Sequence, residues 1–340
     1  MKKAMKLLCI LLSLSLVMVL LGGCGASNKP AEEKPTPAAP DTNKPAEEKP
    51  AEIYIPVISK GFQHQFWQAV KAGAEKAAAQ YNVKITFEGP ETEAMVDKQI
   101  EMLEAALAKK PAAICLAALD SKAAAPLLEK AKAANIPVVG FDSGVESDIP
   151  VATAATDNVA AAAMAADKMA ELIGGEGKVG VIVHDQTSRT GIDRRDGFLN
   201  RMKEKYPKIT VLPVQYGGGD QLKSTDLAKA IIQANPDIKG FFGANEGSII
   251  GVLNAVKETG KEGKITVIGY DSGKQQLEAI KSGVEAGAMT QDPIGIGFKA
   301  VEAAVKAIKG ETVEKNIDTG FHWYDKTNID SADIKPLLYD

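Results

Sequence analysis

From residue 53 to residue 309 the chain alternates short runs rich in β-branched residues with stretches of helical length, and it does so almost without interruption. Strands separated by helices pair in parallel, because a parallel pair needs a crossover of about a dozen residues or more and the helix supplies it. The runs over 53–59, 83–88, 112–119, 137–141 and 151–156 read as strands buried on both faces. Helices are expected between them at 63–80, 93–109 and 122–134, ended by Gln80-Tyr-Asn82 and Lys109-Lys-Pro111. A second set follows, with helices at 159–173, 192–205, 220–234, 247–258, 274–281 and 294–309. Its strands are expected at 179–184, 210–215, 240–243, 265–270 and 286–290. About ten strands are more than one doubly wound sheet usually holds. The expected fold is therefore α/β, with two doubly wound parallel-sheet lobes, and 340 residues suffice for both.

Two such lobes imply a cleft, since open parallel sheets bind ligands beyond the carboxyl ends of their strands. The residues just after the expected strands are polar nearly every time: Ser59-Lys60, Asp120, Asp142, Asp157, Asp185, Asn245-Glu246, Asp271 and Gln291-Asp292. A carboxylate or carboxamide engages neighbouring hydroxyls of a polyol in one plane, and an arginine fork donates in the complementary sense. Sugars need that, together with a flat apolar surface for the C–H face of the ring. Phe66 and Trp67, on the first turn of the first helix, are placed to supply it, although core packing is the ordinary fate of such a pair. Asp120, Asp157 and Asp220 read equally well as helix caps. Asp142, Asn245 and Asp271 recur in register from different units and are the stronger ligand candidates. Arg194 and Arg195 fall at the start of an expected helix, where a cation is unfavourable. A ligand contact would explain the placement, and so would pairing with Asp193 and Asp196.

Other functions find little in the residues. The net charge of −4 includes three lysines within residues 1–23, so the remainder is more acidic still, which argues against a nucleic-acid partner. Cys9, Cys24 and Cys115 build neither a disulfide framework nor a metal site, and His64, His184 and His322 lack metal-ligand spacing. Gly175-Glu-Gly-Lys-Val-Gly180 precedes a strand where a dinucleotide fingerprint must follow one, so it reads as a turn. No P-loop, G-x-S-x-G elbow or H-E-x-x-H occurs, and neither catalysis, cofactor nor metal is expected.

Residues 1–23 read as a secretion signal: a basic start, an apolar run over 7–21 shorter than the roughly 20 residues that span a bilayer, then small residues. Leu21-Gly-Gly-Cys24 resembles the lipobox of bacterial lipoproteins, which implies that Cys24 is diacylated and anchors the chain to the lipid bilayer. Residues 24–51 are then a lipidated tether. Asn28-Lys-Pro-Ala-Glu-Glu-Lys-Pro35 recurs as 43–50, with no large apolar residue between to support folding. Extended at ~3.1 Å per residue, such a spacer reaches roughly 80 Å.

Several landmarks fall in a familiar order: Ile136-Pro-Val-Val-Gly-Phe-Asp142, Ala155-Thr-Asp-Asn158, Arg194-Arg-Asp-Gly-Phe198, Phe242-Gly-Ala-Asn-Glu246, Val267-Ile-Gly-Tyr-Asp271 and Thr290-Gln-Asp-Pro293. With them the span 53–325 resembles the periplasmic ribose-binding protein family, the monosaccharide-binding components of ATP-binding-cassette importers. The resemblance implies the type I periplasmic binding protein fold with a three-strand hinge near 156–158, 291–292 and 320–323. It divides the chain into an N-terminal lobe, 52–156 plus 291–320, and a C-terminal lobe, 157–290 plus 321–340. It also implies that Asp142, Arg194, Asn245, Asp271 and Gln291 bind sugar hydroxyls and that Phe66 and Trp67 stack on the ring; Lys60 and His64 complete the expected set. Ala117, Ser143 and the segment Tyr216-Gly-Gly-Gly-Asp220 depart from the family pattern, and the loop 63–67 is one residue longer. Asp185, Gln186 and His64 could compensate.

The expected protein is a monomeric, membrane-anchored, extracytoplasmic receptor that closes on a pentose or hexose and delivers it to an ABC permease. A polyol, nucleoside or furanosyl signalling molecule, taken up or sensed, is the alternative guest. A phosphorylated one would want more cations than Lys60 and Arg194. A repressor of the same fold would carry a helix-turn-helix where this chain has its leader.

Overall fold

The computed structural model describes residues 52–339; the expected signal, tether and Cys24 lie outside them. In chain order the first elements are β1 (Tyr54–Ile58), α1 (Gln65–Tyr81), β2 (Lys84–Glu88), α2 (Val96–Ala108), β3 (Ile114–Leu116), α3 (Ala125–Ala133), β4 (Val138–Phe141) and β5 (Ala152–Ala155). Next come α4 (Asn158–Ile173), β6 (Gly177–Val183), α5 (Arg189–Lys205), β7 (Ile209–Val211), β8 (Gln215–Tyr216), α6 (Gln221–Ala234), β9 (Ile238–Gly243), α7 (Glu246–Glu258), β10 (Thr266–Tyr270) and α8 (Lys274–Ser282). The last are β11 (Gly287–Gln291), α9 (Pro293–Ile308), β12 (Asn316–Asp318) and β13 (Phe321–Tyr324).

The strands form two sheets. One runs β2-β1-β3-β4-β5-β12, parallel throughout. The other runs β7-β6-β9-β10-β11-β13, parallel except for β13, with β8 also paired to β6. Each is a doubly wound sheet, and the two repeat the same strand order. The expected α/β class with two parallel-sheet lobes is what the chain adopts. The chain passes between the sheets after β5, after β11 and between β12 and β13.

Successive strand residues serve opposite faces. Ile55 and Val57 join one apolar cluster with Val70, Ala74 and Val301, while Ile58 joins another with Leu103 and Leu128. In the second lobe Val179, Val181 and Val183 pack with Phe198 and Met169, and Ile182 packs with Ile232 and Val252. Buried faces on both sides are why these runs read as continuously apolar. The tightest helix contact is between α1 and α9. A Cβ at Gly73 would lie 2.0 Å from the Ile294 carbonyl oxygen, and one at Gly297 would lie 2.0 Å from that of Val70. Only glycine permits that approach.

Local departures from the sequence reading have local causes. The strand expected over 210–215 breaks into β7 and β8, since Pro213 has no N–H to give a ladder. Helix α5 begins three residues before its expected start because Ser188 Oγ accepts the Gly191 N–H at 3.1 Å and caps it. Helix α2 begins three residues late, leaving Glu93 in the preceding loop. The strand β13 falls where the third crossover of the hinge is expected, whereas β12, Asn316-Ile-Asp318, carries too little apolar pattern to read as a strand.

Candidate functional site

The strand ends of both sheets converge on one small cleft. The first lobe lines it with Lys60, His64, Phe66, Trp67 and Asp142, and the second with Arg194, Asn245, Asp271 and Gln291, the last because β11 ends at Gln291 within the second sheet and not, as expected, in the first lobe. The structure thus gathers the nine side chains of the expected ligand set, whereas Arg195, Asp185 and Gln186 lie outside the lining. It adds Glu93, His184 and Thr190, which the sequence reading passed over. A wider groove nearby shares only Asp142 with the cleft.

Asp142 and Asp271 occupy equivalent places, one residue past β4 and β10, and both have left-handed backbones, with φ of 54° and 81°. Their N–H groups still bond to the adjoining strands, at Ala154 O (2.9 Å) and Met289 O (2.7 Å). The conformation costs roughly 1–3 kcal/mol in general and is held because the surrounding sheet fixes it. A repeated heptapeptide underlies it, Val138-Val-Gly-Phe-Asp-Ser-Gly144 and Val267-Ile-Gly-Tyr-Asp-Ser-Gly273.

Second-lobe groups are held firmly. Arg194 donates from Nε to Asn158 Oδ1 at 2.7 Å and from Nη1 to Ala244 O at 2.9 Å, with its guanidinium 3.7 Å from the Tyr270 ring centre. Nη2 makes no hydrogen bond among the described residues. Burial works against its charge, but Tyr270 and the carboxylates of Asp271, Asp142 and Glu93 outweigh it and hold the pKa above the ordinary value. Arg194 and Arg195 do not open a helix as expected: with α5 starting at Arg189, both lie beyond its first turn. Arg195 pairs with Asp196 and donates to Tyr216 Oη at 3.5 Å, outside the cleft lining. Asp271 accepts from Gln291 Nε2 at 2.8 Å and from the Glu246 N–H at 2.9 Å. Asn245 both lines the cleft and caps α7, accepting from the Ser248 N–H at 2.9 Å.

In the first lobe, Phe66 and Trp67 belong to the core and to the cleft wall at once, their rings edge to face with centroids 5.0 Å apart. Lys60 Nζ donates to Thr190 Oγ1 of the second lobe at 3.2 Å, with Asp185 Oδ2 at 3.8 Å and Glu93 Oε2 at 3.9 Å. Burial opposes ionisation of Glu93, but Lys60, His64, His184 and the Trp67 N–H together hold its carboxyl at about 2. Asp142 goes the other way: burial, with Glu93 and Asp271 adding to it, pushes the carboxyl up to about 6 against the pull of Lys60 and Arg194. His184, at the end of β6, has its pKa lowered by burial and by Lys60 and faces the cleft as a neutral imidazole.

Other sequence candidates fall elsewhere. Asp120, Asp157 and Asp220 accept backbone N–H groups as caps and turns. Asp185 accepts from the N–H groups of Thr187 and Ser188 and touches Lys60, Gln186 is exposed, and Ala117 and Ser143 are buried outside the cleft lining. Among the described residues no group of three or more His, Cys, Asp or Glu could hold a metal ion.

Four buried polar atoms of the lining have no hydrogen-bond partner among the described residues: His64 Nδ1, Glu93 Oε2, His184 Nδ1 and Gln291 Oε1. Each buried orphan costs ~1–3 kcal/mol, and a guest bearing several hydroxyls supplies both donors and acceptors. The lobes also cap each other. Glu246 Oε1 and Oε2 accept the N–H groups of Gln65 (3.1 Å) and Phe66 (3.2 Å), at the start of α1. Gln65 Oε1 in turn accepts the Lys274 N–H (2.8 Å), at the start of α8.

Comparison with known proteins agrees with this geometry. Residues 55–312 match the family described as periplasmic binding protein domain. The ribose import binding protein of Bacillus subtilis is 29% identical over 252 residues, 74% of this chain and 80% of its own. A solute binding protein of an ABC transporter from Agrobacterium vitis, solved with D-fucose, has a TM-score of 0.82 and 36% identity, covering 84% of this chain and all of its own. A carbohydrate transporter solute binding protein from Agrobacterium radiobacter, in complex with D-arabinose, has a TM-score of 0.82 and 36% identity, covering 85% of this chain and 99% of its own.

Proposed function

The chain belongs to the periplasmic binding protein family, among the sugar-binding, non-catalytic proteins that serve ABC transporters, and from that premise we propose that it captures one pentose or hexose between its lobes. The observation that carries the reading is the convergence of donors and acceptors from both lobes, four of them unsatisfied, on one cleft. Asp142, Asp271, Asn245 and Gln291 engage hydroxyls. Arg194 and Lys60 donate, and Phe66 and Trp67 cover an apolar face of the ring. The guest stabilises the closed arrangement because groups of both lobes reach it only there. The segments around 156–158, 291–292 and 320–323 act as the hinge. Diacylated Cys24 and the Pro/Glu/Lys-rich segment hold the monomer at the outer face of the membrane, within reach of its permease. Nothing in the relatives favours a polyol, nucleoside or furanosyl signal over a monosaccharide.

Thermal unfolding against a panel of pentoses, hexoses, polyols and nucleosides tests this. A guest at 100 times its Kd adds ~2.7 kcal/mol to stability. A monosaccharide that raises Tm and is recovered chemically unchanged supports the proposal; a panel in which only nucleosides or polyols raise it overturns the assignment.

A further inference from the structure

Glu93 is the lining carboxylate with no part in the reading above. It arrives not from a strand end facing the second lobe but from the loop Gly89-Pro-Glu-Thr-Glu93 after β2, and it is 7% exposed. Its two oxygens differ. Oε1 accepts the indole N–H of Trp67 at 2.8 Å, while Gln63 Oε1 fixes the Glu93 backbone by accepting its N–H at 3.0 Å. Oε2 is buried and has no hydrogen-bond partner. The nearest cationic or imidazole nitrogens, Lys60 Nζ at 3.9 Å and His64 Nε2 at 4.0 Å, are too far to donate to it. An ionised oxygen buried without a donor is among the least favourable arrangements a folded chain keeps. Glu93 lines the same cleft as Lys60, His64 and His184.

We propose that Glu93 determines which monosaccharide is selected: Oε2 accepts one hydroxyl of the bound sugar while Oε1 holds the Trp67 indole in the plane that covers the ring. This deepens the sugar-binding reading and rests on it. One side chain thereby couples the orientation of the ring face to the position of one hydroxyl. A sugar in which that hydroxyl is missing or inverted leaves Oε2 dry.

The test is a calorimetric titration of the parent chain, Glu93→Gln and Glu93→Asp with the best monosaccharide of the panel and its series of single-position deoxy analogues. If the parent binds no monosaccharide, the underlying reading fails whatever Glu93 does. Given a binding sugar, Glu93→Gln keeps the volume and an acceptor for the Trp67 N–H, and its Kd for that sugar is expected to rise by about 10- to 100-fold. For one deoxy analogue the parent already binds weakly, and there the same substitution changes Kd by less than about threefold. Glu93→Asp, whose shorter reach withdraws the oxygen, follows the same pattern should the glutamine variant not fold. The proposal is overturned if the substitution leaves all Kd values within about threefold, or if it weakens the sugar and every deoxy analogue by one common factor, the signature of a residue that acts through Trp67 alone.

Discussion

Glu246→Ala probes how the two lobes hold together. The N-cap of α1, His64, makes no side-chain hydrogen bond to the helix, and the N-cap of α8 is Gly273, which has no side chain to offer. Each helix start is capped from across the cleft instead, α1 by Glu246 and α8 by Gln65. A carboxylate accepting a backbone N–H contributes ~1.5–3 kcal/mol. Two such bonds at 3.1 and 3.2 Å are long enough to sit at the lower end of that range. Against them, burial with the neighbouring charge of Asp271 raises the Glu246 carboxyl pKa despite His64 and the two amides, so part of the gain is lost to desolvation. The net is ~2 kcal/mol, or about 30-fold in the balance between closed and open forms. Because the bonds join opposite lobes, the loss falls on closure rather than on the folding of either lobe. Stopped-flow mixing with a bound sugar, read through Trp67 fluorescence, is expected to show a dissociation rate about 10- to 30-fold faster and an association rate nearly unchanged. A dissociation rate within twofold of the parent refutes the reasoning. So does a large fall in the Tm of the sugar-free protein, which would make the contact part of the fold rather than of closure.

Three further outcomes are expected. With Asp142 raised to about 6 and its ionised form the better acceptor, sugar affinity should strengthen as pH rises from about 5 to 7, with protons released on binding near pH 6; Asp142→Asn should remove that component. The same shift acts on folding with the opposite sign, since the empty native state then binds more protons than the unfolded chain between the ordinary 3.8 and about 6. The Asp142 contribution to stability, measured as the difference from Asp142→Asn, should therefore fall as pH rises through that window. Gly297→Ala, whose new methyl would meet the Val70 carbonyl oxygen at 2.0 Å, should destabilise the first lobe by ~1–3 kcal/mol in denaturant unfolding, whereas Gly310→Ala tests only an open left-handed turn. Cys24→Ser should move the protein from the membrane fraction to the soluble extracytoplasmic fraction, and continued sedimentation with membranes would contradict the lipid anchor.

What the sequence made legible follows from where the information sits. Strands covered on both faces and helices of regular length write the doubly wound lobes directly into the apolar pattern, and reading one step past each strand reached Lys60, Asp142, Asn245, Asp271 and Gln291. Glu93 escaped because the end of β2 was not read that way and α2 was started at that residue, whereas its backbone is held in a loop by Gln63. His184 escaped by one position, taken as the last residue of a strand that ends at Val183. The repeated Val-x-Gly-x-Asp-Ser-Gly segment was a signal available in the residues alone and would have tied Asp142 to Asp271 as equivalent positions. The reciprocal caps of Glu246 and Gln65 join residues 181 and 209 positions apart, and no local pattern announces a partner at that range.

The most direct measurement is calorimetric titration of a single monosaccharide into the parent chain, Asp142→Ala and Asn245→Ala, one substitution in each lobe. The account predicts one-site binding by the parent and a Kd at least about tenfold weaker in both variants, because each removes a contact to the same ring. Undiminished affinity in either variant, with its fold intact, would mean that one lobe holds the guest alone and would contradict capture between the two.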